Sequence, residues 1–139
     1  MKLILHSGGT FILRFDVGEE LLAGILAFCA AQKVEAATVA VIGAASRAEL
    51  RFYDLETKQY QDCIYQEELE ITGLLGNVAM LDGQPAVHLH GSFGRRDMST
   101  LSGHVQRCVI SVTGEVALTH LPGRMERAPV PGTNLNLLA

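Results

Sequence analysis

The sequence lacks tryptophan altogether, and it has only three cysteines and four prolines in 139 residues. The cysteines (Cys29, Cys63 and Cys108) are odd in number and form no CxxC pair, which argues against a disulfide framework and predicts reduced thiols. The first five residues are too short an apolar run for a signal peptide, so we expect a cytoplasmic protein. No uninterrupted apolar run reaches about 18 residues, and we therefore expect no membrane-spanning helix.

Positive charge is also scarce. The chain has 11 Lys and Arg against 15 Asp and Glu, a formal net charge of −4. Proteins that bind nucleic acid broadly need clustered basic residues to displace phosphate counterions. The one local cluster, Arg95-Arg96, is small and is typical of a solvated loop. This composition argues against direct nucleic-acid binding.

Apolar residues are abundant for a chain of this size. They make up 48% of the sequence, whereas charged residues make up 19%. The length fits one domain. Either its core is unusually large, or part of its apolar surface is buried against other copies of the chain. We favour the second explanation in part.

One helix is clearly indicated, near the N-terminus. Asp16 and Glu19 have the spacing of a capping box, in which each side chain satisfies a free amide at the helix start. Apolar residues then recur at helical spacing at Leu21, Leu22, Ile25, Leu26 and Cys29. We predict a helix over about 18–33.

The remainder of the chain has the patterns of β-strands. After one or two strands within 3–15, the predicted strands cover 37–45, 48–53, 60–66, 68–81, 85–93, 104–113 and 115–121. Asp82-Gly83 is a hairpin signal, and 94–103 is predicted to be a loop. The pattern predicts an α+β domain over 1–121, with an antiparallel, strongly curved sheet or partial barrel that protects its edges. Residues 122–139 lack periodicity and are predicted to form an extended C-terminal tail.

Three histidines stand out. His88 and His90 are two residues apart on a predicted strand, so their side chains point to the same face. If the next strand pairs antiparallel, His104 comes back beside His90, and three imidazoles suit a divalent metal with open positions. The alternative is a group of surface histidines, because short motifs give false matches. His6 and His120 have no such partners and are expected at the surface or in the core.

Other polar residues are weaker candidates. Glu70 could act as a general base or orient a metal ligand, but an outward-facing strand carboxylate is the alternative. Arg95 or Arg96, in the loop between the histidines, could bind an anionic small molecule through bidentate hydrogen bonds. A solvated loop arginine is the alternative there.

Several motifs together resemble the PPC (plants-and-prokaryotes conserved) domain family over about 3–121. They are Phe15-Asp16-Val17-Gly18-Glu19-Glu20-Leu21, Ile42-Gly43-Ala44, Leu50-Arg51-Phe52-Tyr53, Glu70-Ile71, Leu75-Gly76-Asn77-Val78, His88-Leu89-His90 and Gly103-His104-Val105. The resemblance implies an α+β fold that assembles as a homotrimer. In plants the domain follows an AT-hook that enters the minor groove of DNA, and this chain has no AT-hook.

The fold of that family is also similar to acetolactate decarboxylase, which holds zinc through an HxH pair and a later histidine. Carried to this sequence, the resemblance implies that His88, His90 and His104 bind zinc. Two glycines usually precede the last histidine in the family, whereas Ser102-Gly103 stands here, so Ser102 could contact a bound ligand.

Three functional hypotheses follow. The first is a homotrimeric metal-binding domain, with the chemistry of a small-molecule lyase or hydrolase. The second is a regulatory module that associates with DNA through a partner, and the third is a structural oligomer with no site. Likeness of fold does not by itself decide among them.

Overall fold

The chain folds into a curved antiparallel sheet with one helix, in a computed structural model that describes all residues from Met1 to Ala139. In chain order, the elements are β1 Lys2–Ser7, β2 Thr10–Phe15, α1 Leu21–Gln32, β3 Ala37–Asp54, β4 Gln59–Tyr65, β5 Leu69–Leu81, β6 Gln84–Gly94, β7 Thr100–His120, β8 Arg127–Val130 and β9 Leu135–Leu138. The predicted α+β class, with one main helix and a strongly curved sheet, is confirmed.

The main sheet closes partly on itself. Its seven strands run in the order β1-β2-β7-β6-β5-β3-β4, and β7 also pairs with β3. Strands β3, β5, β6 and β7 therefore form a ring in which each strand has two partners. Because a closed ring has no unpaired edge, these four strands are protected, whereas β1 and β4 remain the end strands of the sheet.

The core lies inside the curved sheet and beneath α1. A single cluster of 26 buried residues runs from Phe11 to Leu118. The helix approaches the sheet closely at Gly24, where a Cβ would lie 2.2 Å from the ring of Phe15. Phe15 is fully buried, and burial of such a side chain stabilises the fold by about 1.5–3 kcal/mol. The helix supplies one wall of the core and lies outside the ring of strands.

The helix is shorter than the sequence predicts. It begins at Leu21, and the carboxylate of Glu20 caps it by accepting the backbone N–H of Ala23 at 2.7 Å. Glu19 does accept the backbone N–H of Asp16 at 2.8 Å, but this bond lies ahead of the helix. The reason is Gly18, whose φ of +83° is left-handed and keeps the chain out of the helix at that point.

Two strands are longer than expected. The sequence predicts a break inside both β3 and β7, whereas each strand continues through it. Register shifts on either side of Gly43 bend β3 while the pairing with β7 resumes. A Cβ at Gly43 would lie 2.1 Å from the backbone oxygen of Thr113, so the two strands can meet there because glycine has no side chain. The glycines in this part of the two strands therefore mark a bulge within the sheet and not a turn.

The predicted loop over 94–103 is shorter for a related reason. Strands β6 and β7 pair as far as Gly94 and Thr100, which leaves only residues 95–99 outside the strands. The backbone hydrogen bonds between β6 and β7 thus continue almost to the tip of the hairpin.

The end of the chain is a β-hairpin, whereas the sequence predicts an extended tail over 122–139. β8 and β9 pair antiparallel, and the backbone N–H of Met80 donates to Met125 at 2.8 Å. The hydroxyl of Tyr53 donates to the backbone oxygen of Thr133 on the other side. Strands of four residues are too short to show a period in the sequence. The hairpin thus ties β5 to β3.

The only helix has 12 residues, and no helix of the structure is long and apolar enough to cross a membrane.

Candidate metal centre

The first two histidines lie on one face of β6. Between them, Leu89 points the other way and is fully buried in the core. Alternation along the strand thus places both imidazoles outside the core, with ring centroids 4.9 Å apart. His88 is half-buried and His90 is exposed.

His104 completes the group from the neighbouring strand. It pairs directly with His90 in the register of β6 and β7, as the sequence pattern predicts. Its ring centroid lies 5.0 Å from that of His88 and 5.2 Å from that of His90. We call these three residues the histidine cluster.

Burial favours the neutral form of two of the three imidazoles. Partial burial, followed by the positive charges nearby, lowers the pKa of His104 from 6.5 to about 4. Burial also lowers the pKa of His88, with contributions from Arg127 and His90. Both imidazoles are neutral near pH 7 and keep a nitrogen lone pair available. Nδ1 of His104 is buried and has no hydrogen-bond partner in the protein.

The arrangement fits a divalent transition metal. One nitrogen from each of the three imidazoles can be chosen so that all lie within 4.8 Å of one another. A tetrahedral zinc site, with bonds of about 2.0–2.1 Å, separates its nitrogen ligands by about 3.4 Å, so small ring rotations are enough to bind. Neutral imidazoles are the form that ligates, and a metal would satisfy the nitrogen that the protein leaves unpaired.

An open cleft of about 660 Å³ lies beside His90 and His104. Tyr60 forms part of its wall, with its ring centroid 5.5 Å from that of His104. Arg51 also lines the cleft, but Asp62 holds its guanidinium through two contacts of 2.8 and 3.0 Å. The charge of Arg51 is therefore neutralised within the protein.

A second arginine approaches the cluster from the C-terminal hairpin. Arg127 donates from Nη2 to the side-chain oxygen of Asn77 at 2.5 Å, and Asn77 is the cross-strand partner of His88. Its positive charge contributes to the lowered pKa values of His88 and His104. The sequence does not indicate Arg127 as a site residue, because no local pattern links it to a histidine 39 positions earlier.

The other predicted site residues divide between two places. Ser102 lines the histidine cleft, where it pairs with Ser92 on the neighbouring strand. Glu70 and Arg95 line a different cleft, together with Thr72 and Met98. Glu70 pairs with Gly94, four residues along β6 from His90, a separation of about 13 Å at the usual rise of a strand. The structure does not bring Glu70 or Arg95 to the histidine cluster.

Three solved structures are similar over nearly their whole length. A metal-containing protein from Archaeoglobus fulgidus is 33% identical, with a TM-score of 0.88 over 100% of this chain and 99% of its own. A plant- and prokaryote-conserved (PPC) protein from Pyrococcus horikoshii is 32% identical, with a TM-score of 0.90 over 95% and 92%. A protein from Bacteroides thetaiotaomicron, provisionally named as DNA-binding, is 30% identical, with a TM-score of 0.94 over 97% and 94%.

A more distant likeness concerns the fold alone. A Staphylococcus aureus protein of unknown function, described as similar to α-acetolactate decarboxylase, is 12% identical. Its TM-score is 0.57 over 85% of this chain and 54% of that one. No curated protein matches the sequence.

The family model of the Plants and Prokaryotes Conserved (PCC) domain matches residues 5–122. This span contains the histidine cluster and every strand of the curved sheet except the first residues of β1, and it ends before the C-terminal hairpin. The chain therefore belongs to the Plants and Prokaryotes Conserved domain family, which its sequence motifs predicted.

Proposed function

We propose that this protein binds one divalent metal, zinc, through His88, His90 and His104, and that a small-molecule ligand takes the open position at the metal. The observation that carries the proposal is the convergence of three imidazoles, one of which has a buried nitrogen without a partner. The name of the Archaeoglobus fulgidus relative, a metal-containing protein, supports it.

The donor set favours zinc and an open site. Imidazole nitrogen is a good ligand for zinc, and three protein ligands leave room for water or substrate, whereas structural sites are closed by four. The adjacent cleft, of about 660 Å³, is within the usual size of small-molecule sites. A bound zinc would supply a Lewis acid there. Ser102, on the wall of the cleft, is proposed to contact the ligand.

Metal analysis of tag-free protein tests this proposal. We expect about one zinc per wild-type chain and none in the His88→Ala/His90→Ala variant, because one imidazole cannot hold the metal. The matched control is His6→Ala/His120→Ala, which removes two histidines outside the cluster and should keep the zinc. Equal metal content in the two double variants, or a folded wild type that takes up no zinc, would contradict the proposal.

We also propose that three copies of the chain assemble through the outer face of the sheet beside the histidine cluster. Leu75 pairs directly with His90 and is 68% exposed, and Ile42 is 57% exposed. Leu75 also pairs with Ala40, two residues before Ile42, so these side chains share one face. Contiguous apolar surface of this kind marks an interface, which agrees with the apolar surplus of the sequence.

The mass of the particle in solution tests the assembly. Wild type should have the mass of three chains by light scattering. Leu75→Asp should reduce it to one, because the new carboxylate would be buried without a partner. Leu55→Asp is the control, since Leu55 is 83% exposed in the turn after β3. A monomeric wild type would overturn this part of the proposal.

Direct DNA binding is not part of the proposal. The net charge is −4, and six of the eight arginines lie against carboxylates. Few cations are therefore free to displace phosphate counterions. A mobility shift of duplex DNA that weakens steeply with salt would contradict this conclusion.

A further inference from the structure

Arg127 is the only partly buried arginine in the chain that has no carboxylate partner. The six paired arginines are Arg14, Arg47, Arg51, Arg95, Arg107 and Arg124. The eighth, Arg96, is exposed, so water can solvate its charge. Water reaches Arg127 less easily, because β8 packs against β5 at this position. Its positive charge is therefore poorly compensated within the protein.

The guanidinium of Arg127 is held in place without being saturated. Nη2 donates to the side-chain oxygen of Asn77 at 2.5 Å, and Nη1 donates to the backbone oxygen of Asn136 at 3.3 Å. Nε is buried and has no acceptor. Neutral acceptors thus fix the orientation of the group, while three of its five N–H groups and the full charge have no partner in the protein. A fixed group of this kind loses little entropy when it binds.

The surroundings of the histidine cluster are positive on balance. Arg51 is paired with Asp62, and no carboxylate belongs to the histidine cluster. Asn77 links Arg127 to the strand position opposite His88. A divalent metal on the histidines would add to this positive charge, which an anionic ligand would balance.

We infer that the C-terminal hairpin completes the ligand site, in which Arg127 binds the carboxylate of a small organic acid that also occupies the open position at the metal. This inference rests on the proposed function. Arg127 is a single guanidinium with two of its five N–H groups already used, which suits a singly charged carboxylate better than a phosphate that needs several donors. Arg127 lies beyond residues 5–122, so the hairpin adds ligand recognition to the domain that the family model describes.

The C-terminal hairpin is anchored to two parts of the main sheet, which supports this role. The hydroxyl of Tyr53 donates to the backbone oxygen of Thr133, and Asn134 donates to the backbone oxygen of Lys58 at 3.3 Å. Tyr53 also lines the histidine cleft. Together with the bond between Arg127 and Asn77, these contacts fix the hairpin against β5 and the adjoining ends of β3 and β4.

Calorimetric titration of the zinc-loaded full chain with pyruvate tests the inference. Pyruvate should bind wild type, and Arg127→Met should weaken the binding about 10- to 100-fold, since a charge-assisted bond is lost. The zinc content of this variant should stay at one per chain, because Arg127 repels the metal. Arg124→Met, the matched control, makes the same change of charge three residues away and should bind pyruvate as wild type does.

A second variant covers the case in which Arg127→Met does not fold. Asn77→Ala keeps the arginine but frees its guanidinium, so we expect a smaller loss of pyruvate affinity, of about 3- to 10-fold. Zinc-loaded wild type that binds inorganic phosphate more tightly than pyruvate, or Arg127→Met that binds pyruvate normally, would overturn the inference alone. A wild type that takes up no zinc overturns the proposed function, and the inference with it.

Discussion

The two polar clefts of this protein contain similar residue types but differ in how their charges are satisfied. In the cleft of Glu70 and Arg95, the guanidinium of Arg95 donates to the carboxylate of Glu67 at 2.7 and 3.2 Å. At the histidine cluster, Nδ1 of His104 is buried without a partner, and so is Nε of Arg127, whose Nη2 donates to the cross-strand partner of His88. The charge of Arg95 is balanced within the protein, whereas two buried nitrogens at the histidine cluster are left without partners.

This difference distinguishes an ordinary surface ion pair from a candidate ligand site. An exposed ion pair such as Arg95 with Glu67 contributes little to stability and has little left to offer a ligand. A buried polar group without a partner costs about 1–3 kcal/mol, so a site that keeps such groups is expected to satisfy them when it is occupied. The predictions below test this contrast.

The largest expected effect is on thermal stability. Zinc should stabilise the protein through the histidine cluster and not through the cleft of Glu70 and Arg95. At free zinc 100 times its dissociation constant, binding adds about 2.7 kcal/mol to the free energy of unfolding, which raises Tm by about 5–15 °C. Thermal unfolding with and without zinc should show this rise for wild type and Arg95→Met. The rise in Tm should be absent for His88→Ala/His90→Ala. An equal rise in that variant would show that zinc does not bind at the histidine cluster.

Removal of the C-terminal hairpin should separate metal binding from ligand binding. The buried core cluster ends at Leu118, and a chain that ends at Glu126 keeps the bond between Met80 and Met125. We therefore expect the shortened chain to fold and to bind zinc, with pyruvate affinity reduced at least as much as in Arg127→Met. Circular dichroism, metal analysis and calorimetry measure the three properties. Full pyruvate affinity in the shortened chain would show that the hairpin has no part in the site.

Changes in the other cleft should have the smallest effect. Glu70→Gln and Arg95→Met should leave zinc content and pyruvate affinity at wild-type values, because both residues lie away from the histidine cluster. Metal analysis and titration of these two variants check this expectation. A clear loss of zinc from Glu70→Gln would instead support the role that the sequence suggested for that carboxylate.

A large part of the fold could be predicted because its signals are local. The i, i+2 spacing of His88 and His90 places both side chains on one face wherever that strand lies. The apolar stripe from Leu21 to Cys29 identified the helix, although the left-handed Gly18 moved its start. A glycine can mark a turn or lie within a strand, and for that reason the predicted break at Gly114 was wrong, since Gly114 pairs with Gly43 inside the sheet.

The sequence by itself determined the class of the fold, the family and the common face of His88 and His90, because strand alternation and motif order depend on neighbouring residues. Only the tertiary structure decided which polar groups surround the two histidines. Arg127 meets Asn77 across 50 positions, and Glu70 misses the cluster, since these outcomes depend on the register of β5 and β6 and on the path of the hairpin. Contacts of that kind follow from how whole strands pack, and no short pattern encodes them.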